Sequence, residues 1–237
     1  MLNRILKRLF IFKSVITFDP FIGNKKYKSL FKKFNNQLQE RTNTKLDRYY
    51  KLRFHEINSI IRKYKIQNVL ELGTGRTTFI FNIIPGVKCV SVEQDQKWLK
   101  TIDNLLNQFG INANINSSSV SEYKNGAKFD ELPVLEPDLL YIDAPYFKKK
   151  GNSKWGGFET YTGKAAYYDF ESFFKNDIFP KIIMIEGRTD TADAILSTDF
   201  SKKYDFIGEF IYCIQRKKYL SSLNFSRHSI FILKNRK

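Results

Sequence analysis

Cysteine and histidine are scarce in this chain of 237 residues, which contains only two of each. Cys89 and Cys213 stand alone inside apolar runs, a pattern that favours two buried thiols over a disulfide framework or a zinc site. Because His55 and His228 are the only histidines, we also expect no transition-metal cluster. His228 falls inside a predicted strand, where we expect a structural role.

Long apolar runs are absent from the sequence as well. No stretch of about 18 uninterrupted apolar residues occurs, so we predict no membrane-spanning helix. Lys13 interrupts the apolar start, and no small-residue cleavage site follows it, which argues against a signal peptide. We therefore expect the product to stay in the cytoplasm.

Acidic residues are scarce in the first part of the chain. The net charge is +16, and residues 1–66 hold 17 Lys/Arg against 4 Asp/Glu, whereas residues 67–237 are nearly balanced. Hydrophobic residues make up 42% of the sequence, which is enough for a buried core. We predict a basic helical extension over residues 1–66 and an α/β domain over residues 67–237.

The first residues predict a basic amphipathic helix, because Leu2, Ile5 and Leu9 recur at helical spacing between Lys and Arg. Three roles for it stay open. Residues 1–13 fit peripheral contact with an anionic membrane, where apolar side chains insert and cations meet headgroups. The cations also fit nucleic-acid phosphates, although the interleaved apolar residues favour a membrane. The third role is a solvated helical cap over the active site.

From residue 67 onwards, apolar strand-like segments alternate with helical ones. The predicted strands span residues 68–72, 88–93, 112–120, 138–143, 181–186, 206–215 and 226–233. Alternation with helices predicts right-handed crossovers and a parallel sheet covered on both faces. The last two strands have too short a connection for a crossover, so we predict that they are antiparallel. The predicted fold class is α/β: a Rossmann-like, seven-stranded, mostly parallel sheet with a C-terminal antiparallel hairpin, plus N-terminal helices.

Two glycines follow the first predicted strand directly, in the segment that begins at Glu71. Gly73 and Gly75 permit a tight turn and a close approach of a ligand to the backbone. Glu93 ends the next strand, where a carboxylate can accept both hydroxyls of a ribose. These features alone fit either a dinucleotide or S-adenosylmethionine.

Three details favour the methyl donor over the dinucleotide. Thr78 stands where a dinucleotide-binding loop has its third glycine, and the Glu71 carboxylate would repel a pyrophosphate but suits a cationic sulfonium amino acid. The predicted closing hairpin is typical of a methyltransferase sheet. The segment 68–78 resembles motif I of class I S-adenosylmethionine-dependent methyltransferases, and Glu93 resembles the acidic position that follows their second strand.

This resemblance implies a cofactor site. Glu71 would lie near the methionine amino group, Glu93 would hold the ribose hydroxyls, and Ser118 would approach the adenine. The full cofactor-binding set that it implies is Glu71, Gly73, Thr74, Gly75, Thr78, Glu93, Ser118 and Asp143. For Ser118 a plain polar strand end stays open, because the acidic residue usual at this position is missing.

Asp143 and Glu186 end two strands that are neighbours in the strand order of this family, and open α/β sheets bind ligands at such ends. We predict both as catalytic residues. In one interpretation Asp143 is a general base that deprotonates a substrate hydroxyl. In another, Asp143 and Glu186 bind Mg²⁺, although Gly187 stands where related metal-dependent enzymes have asparagine. A structural carboxylate that caps a turn also stays open.

A third interpretation concerns residues 143–146, whose sequence Asp-Ala-Pro-Tyr resembles the Asp-Pro-Pro-Tyr motif of nucleic-acid amino-methyltransferases. There Tyr146 would stack on the base, but Ala144 departs from the motif. The long aromatic loop 146–164 that follows predicts a substrate lid. Tyr146, Trp155 and Arg188 are the predicted substrate-binding residues.

The sequence therefore predicts a S-adenosylmethionine-dependent methyltransferase that transfers a methyl group to a hydroxyl of a carbohydrate or small molecule. A nucleic-acid amino-methyltransferase and a non-catalytic binding protein with the same fold are the alternatives. The identity of the acceptor, the need for Mg²⁺ and the oligomeric state do not follow from the sequence.

Overall fold

Two helices precede the sheet in the computed structural model, which describes residues 21, 24–46, 50–124, 126–144, 166–209, 225–226 and 228–234. They are α1 (Lys25–Thr42) and α2 (Tyr50–Lys63). Asn24 caps α1 by accepting the backbone N–H of Tyr27 at 3.1 Å, and Asn43 ends the helix in the left-handed conformation.

Strands and helices alternate after α2. The strands are β1 (Asn68–Leu72), β2 (Lys88–Glu93), β3 (Asn114–Ser117), β4 (Val120–Tyr123), β5 (Gly126–Phe129), β6 (Leu139–Ile142), β7 (Ile182–Ile185), β8 (Tyr204–Glu209), β9 (Phe225–Ser226) and β10 (Ser229–Leu233). The helices between them are α3 (Arg76–Ile83), α4 (Gln96–Gln108), α5 (Phe170–Lys175) and α6 (Thr189–Leu196), and a 3-10 helix spans Asp199–Lys203.

The main sheet runs in the order β3-β2-β1-β6-β7-β10-β8-β9 over the described residues. Strand β10 is antiparallel to both β7 and β8, and the other neighbours in the sheet are parallel. Strands β6 and β7 are apolar and fully buried, as expected of central parallel strands with both faces covered. This architecture confirms the predicted α/β fold class and the antiparallel closing pair; the two-residue strand β9 is an addition at the edge.

The third predicted strand is too long. We expected residues 112–120, but β3 ends at Ser117, and Val120 begins β4, which pairs with β5 in a separate antiparallel hairpin. The backbone leaves the main sheet at Ser118, whose N–H donates to the Glu93 carbonyl at 3.0 Å. The strand-like composition continues across this break, which only the change of pairing partner from β2 to β5 reveals.

The helices before the sheet share its hydrophobic core. Phe31 and Phe34 of α1 both contact Phe79 of α3, with ring centroids 5.7 and 4.7 Å apart. Phe34 also contacts Phe109, which follows α4, at 6.1 Å. Each buried phenylalanine contributes roughly 1.5–3 kcal/mol of transfer free energy, so this packing ties α1 firmly to the sheet. The division of the chain at residue 66 stays a prediction.

Candidate active site

The loop between β1 and α3 forms a tight turn at Gly73, which has a φ of +93°. A Cβ at this position would lie 2.6 Å from the Cβ of Ala144, just beyond β6, so both the backbone angle and the space require glycine. The N–H of Gly73 donates to the Val92 carbonyl at 2.8 Å. The turn is therefore held between β2 and the end of β6.

The second glycine of the loop borders open space. No atom lies within 4 Å of a Cβ built on Gly75, which directly precedes α3. The Gly75 N–H donates to the buried hydroxyl of Thr78 at 2.8 Å. Thr78 therefore supports the loop through its backbone, while the space beside Gly75 has room for an added atom.

Glu93 is bound to the same loop by its carboxylate. Its Oε2 accepts both the N–H and the hydroxyl of Thr74, at 3.0 and 2.9 Å. Its Oε1 accepts the N–H groups of Gln94 and Asp95, both at 2.9 Å. A ribose hydroxyl that reached this carboxylate would replace the Thr74 hydroxyl, the only one of the four donors able to rotate away.

Glu71 lies in the core, with 0% of its surface exposed. Its carboxylate accepts the hydroxyls of Thr77, Thr78 and Ser91, the last two at 2.7 Å. Burial raises the pKa of Glu71 to about 7, against the lowering effect of these hydroxyl donors. Glu71 thus ties β1 to β2 and α3, and its contact with a methionine amino group stays a prediction.

Asp143 and Glu186 follow neighbouring strands, as expected. Ile142 pairs with Ile185, and the N–H of Glu186 donates to the Ile142 carbonyl at 2.9 Å. Burial and the negative charge of Glu186 raise the pKa of Asp143 well above its usual range, although Arg188 counteracts them. A carboxylate with a raised pKa is suited to proton transfer near neutral pH.

A chain of polar side chains extends from Glu186. Arg53 of α2 forms an ion pair with Glu186 Oε1, and the Tyr141 hydroxyl donates to Oε2 at 2.6 Å. The Tyr141 oxygen lies 3.3 Å from His228 Nε2, and His228 Nδ1 lies 2.7 Å from Glu56 Oε2. His228 and Tyr141 are completely buried. His228 lies just before β10 and not inside a strand, and its structural role stays a prediction.

Sequence reasoning missed Arg53 and Glu56. Both lie on α2 next to its buried apolar positions, of which Phe54 and Ile57 are examples. An arginine and a glutamate beside the apolar stripe of a helix are a weak signal of buried partners, because such positions are usually solvated. Their partners are far away in sequence, and Glu186 lies 133 positions after Arg53.

The two strand-end carboxylates do not fit a Mg²⁺ site. Both oxygens of Glu186 are already engaged, one by the Arg53 guanidinium and the other by the Tyr141 hydroxyl. The described part of the chain also contains no group of three His, Cys, Asp or Glu side chains that could hold a metal ion. The Arg53 guanidinium contacts Glu186 at the place where a Mg²⁺ site would require the metal ion.

Two further predicted residues adjoin these groups. The Arg188 guanidinium donates to the Asp143 carbonyl at 3.0 Å and lies over the Tyr167 ring, 5.2 Å from its centroid. Ser118 is buried beside Glu93, and its hydroxyl accepts the N–H of Glu131 at 3.0 Å. Their roles with substrate and adenine stay predictions.

Other predictions fall outside the described residues. They are the substrate contacts of Tyr146 and Trp155, the lid over residues 146–164, the thiol of Cys213 and the membrane contact of residues 1–13. Cys89 is a buried free thiol, as expected. Within the part of the chain that is described, no helix has both the length and the apolar character needed to cross a membrane.

A cleft of about 530 Å³ lies on the surface between α1 and α4. It is lined by Arg41, Gln96, Lys97, Lys100, Thr101 and Asn104. None of the predicted site residues lines this cleft, so it is separate from the glycine turn and the strand-end carboxylates.

Comparison with known proteins finds likeness in structure only. No protein-family model matches the chain, and no curated protein matches its sequence. The SAH-bound methyltransferase PaMTH1 of Podospora anserina matches with a TM-score of 0.50 and 8% identity, over 89% of this chain and 88% of that one. This chain has the class I methyltransferase fold.

Two other solved structures are similar at lower scores. A methyltransferase from Geobacter sulfurreducens has a TM-score of 0.49 and 9% identity, over 87% of this chain and 90% of that one. The O-methyltransferase TomG from Streptomyces achromogenes has a TM-score of 0.42 and 11% identity, over 79% and 74%. The assignment of the methyltransferase fold therefore rests on the match to PaMTH1 and on the strand order of the main sheet.

Proposed function

We propose that this protein is a S-adenosylmethionine-dependent methyltransferase. The observation that carries the proposal is the glycine turn: Gly73 is pressed against Ala144, Gly75 faces open space, and the Glu93 carboxylate adjoins the same loop. An open backbone and a carboxylate thus meet at the carboxyl ends of β1 and β2, where α/β sheets bind nucleoside ligands. The SAH in the PaMTH1 structure, a methyl donor's by-product, supports the same cofactor here.

The residues of the turn fit this cofactor. The backbone from Gly73 to Gly75 would lie along the methionine and ribose, and Glu93 would accept a ribose hydroxyl in place of the Thr74 hydroxyl. When bound, S-adenosylmethionine supplies an electrophilic methyl group on a positively charged sulfur. The negative charge of Asp143, which follows β6 beside the turn, is favourable for that positive charge.

The acceptor that we propose is a hydroxyl of a carbohydrate or small molecule. Asp143 would accept the proton of the acceptor hydroxyl, and bound S-adenosylmethionine would supply the methyl group to the acceptor oxygen. The raised pKa of Asp143 makes its carboxylate basic enough for this step, and the Arg188 cation keeps it ionisable. Arg188 also holds the Asp143 carbonyl, which orients the end of β6.

Calorimetry with S-adenosylmethionine tests the cofactor. The wild-type protein should bind it, and Glu93→Ala should weaken binding roughly ten- to hundredfold, the loss expected for a charge-assisted hydrogen bond of about 1.5–3 kcal/mol. Glu136→Ala, which removes an exposed carboxylate away from the turn, is the matched control and should bind normally. Absence of binding to a folded wild-type protein would refute the proposal.

A labelled-methyl transfer screen over glycan and small-molecule fractions tests the acceptor. At saturating S-adenosylmethionine, Asp143→Asn should lower the transfer rate by about 10²–10⁴-fold, the usual contribution of a general base. Transfer to nucleic-acid amines instead of hydroxyls would contradict the proposed acceptor and leave the proposed cofactor intact.

A further inference from the structure

The guanidinium of Arg53 is buried at the edge of the candidate site. Its side chain is 11% exposed and its ion-pair partner, Glu186, is 7% exposed. Two charges taken out of water cost several kcal/mol each, which only close mutual contact can offset. The pair is therefore a fixed feature of this end of the sheet, unlike a surface ion pair between mobile side chains.

Arg53 retains a free hydrogen-bond donor. Its Nε is buried and has no hydrogen-bond partner among the described residues. A buried N–H without a partner costs about 1–3 kcal/mol, which an oxygen atom of a bound ligand would relieve.

Asp143 and Glu186 need a nearby cation. Each destabilises the ionised form of the other, and burial adds to the effect at Asp143. The positive charges that act on Asp143 belong to Arg188 and Arg53, while Glu71 adds a further negative charge. Arg53 is the cation that also contacts Glu186 directly, so it serves both carboxylates.

We infer that Arg53 takes the position of a divalent metal ion at the paired carboxylates, so that helix α2 is part of a metal-independent reaction centre. Arg53 is a positioning residue: it holds Glu186 and, with Arg188, keeps Asp143 able to ionise. This inference rests on the proposed function for its catalytic meaning. The ion pair itself does not depend on it.

A second contact from the same helix fixes this arrangement. Glu56, one turn after Arg53, lies 2.7 Å from His228, and His228 adjoins the Tyr141 hydroxyl that donates to Glu186. Helix α2 therefore reaches Glu186 by two routes, one direct and one through two buried rings. Its position relative to the strand ends is set by both.

A divalent-cation binding experiment tests whether Arg53, and not a metal ion, occupies the position at the two carboxylates. Mn²⁺, followed by electron paramagnetic resonance, should show no Asp143-dependent site in the wild-type protein. Arg53→Met should create such a site, because it removes the cation that pairs with Glu186, and Arg62→Met on the exposed side of α2 should not. Wild-type binding of Mn²⁺ that Asp143→Asn abolishes would overturn the inference.

A titration of Asp143 by ¹³C nuclear magnetic resonance gives a readout that needs no acceptor. Arg53→Met should raise the pKa of Asp143, because it removes one of the two cations whose charge lowers that pKa. Arg62→Met should leave it unchanged. An unchanged pKa in folded Arg53→Met would overturn the inference.

Arg53→Met removes the ion-pair cation of buried Glu186. If that variant does not fold, two variants in which Glu186 is neutral replace it. In that case Glu186→Gln is compared with Glu186→Gln/Arg53→Met, which contains no unpaired buried charge. The double variant should show the higher pKa of Asp143, and equal values would overturn the inference. Calorimetry on the same proteins separates this outcome from failure of the proposed function, because loss of wild-type S-adenosylmethionine binding would contradict only the latter.

Discussion

Replacing Gly73 by alanine should destabilise the fold by about 2–5 kcal/mol, because two costs add at this position. A φ of +93° lies in the region that L-residues avoid, at about 1–2 kcal/mol. The new Cβ would also lie 2.6 Å from the Cβ of Ala144, and relieving such overpacking costs about 1–3 kcal/mol. Against a typical total of about 5–15 kcal/mol, the loss is large.

Urea denaturation followed by circular dichroism measures this loss of stability. Two further variants separate the backbone cost from the cost of the Cβ contact. Gly73→Ala/Ala144→Gly removes the Cβ contact and keeps the backbone cost, so it should be more stable than Gly73→Ala alone. Gly75→Ala places its Cβ in open space with an extended backbone, so its stability should stay within about 0.5 kcal/mol of wild type. Its affinity for S-adenosylmethionine should nevertheless fall, because that space is the proposed cofactor site.

Equal urea midpoints for Gly73→Ala and the wild-type protein would refute the reasoning about the turn. A Gly75→Ala protein less stable than Gly73→Ala would show that the two glycines have the opposite roles. If Gly75→Ala binds S-adenosylmethionine as tightly as wild type, the cofactor does not lie along this loop.

Three further predictions concern the core, the pH dependence and the polar chain. Phe34→Ala should cost about 3–5 kcal/mol in urea denaturation, because the ring is fully buried between α1 and the sheet, whereas exposed Lys33→Ala should cost under about 0.5 kcal/mol. Burial raises the pKa of Glu71 from 4.5 to about 7, so its contribution to stability is present below pH 4.5 and is lost as the pH rises through 7. Glu71→Gln should remove that decline, on the order of 3 kcal/mol, from the stability–pH curve. Tyr141→Phe should cost about 1–3 kcal/mol, because it takes the hydroxyl donor from buried Glu186.

Each of these predictions has a result that contradicts it. Equal stabilities for Phe34→Ala and Lys33→Ala would mean that α1 does not share the core of the sheet. A stability–pH curve of Glu71→Gln that falls between pH 4.5 and 7 as steeply as wild type would exclude Glu71 as the cause. A Tyr141→Phe protein as stable as wild type would show that Glu186 finds another donor.

Much of the sheet was predictable because its signals are local. The predicted strands 68–72 and 88–93 are β1 and β2 with the same bounds. Both are short apolar runs with a clear boundary: a glycine turn follows β1, and a charged residue stands at each end of β2. Residues 112–120 mixed polar and apolar residues without such a boundary. The boundary appears only in the strand pairing, because Val120 pairs with Phe129 of β5 and not with β2.

The candidate site divides in the same way. The glycine turn and Glu93 followed from residue type and spacing, because backbone freedom and a strand-end carboxylate are properties of short segments. The partners of Glu186 did not follow, since Arg53 lies 133 residues away and no local pattern relates the two. The sequence alone does not distinguish a strand-end glutamate that binds a metal ion from one that forms an ion pair, because the two differ only in their spatial neighbours.

The sequence by itself determined most strands of the main sheet, the strand that carries each acidic residue and the loop that needs glycine. Hydrophobic periodicity and turn-forming residues are patterns of a few neighbouring positions, so they can be recognised without knowledge of the fold. The tertiary structure decided what each buried charge meets: three hydroxyls at Glu71, four donors at Glu93, and a guanidinium at Glu186. The reason is that a buried charge must be paired, and its partner comes from whichever distant element packs beside it.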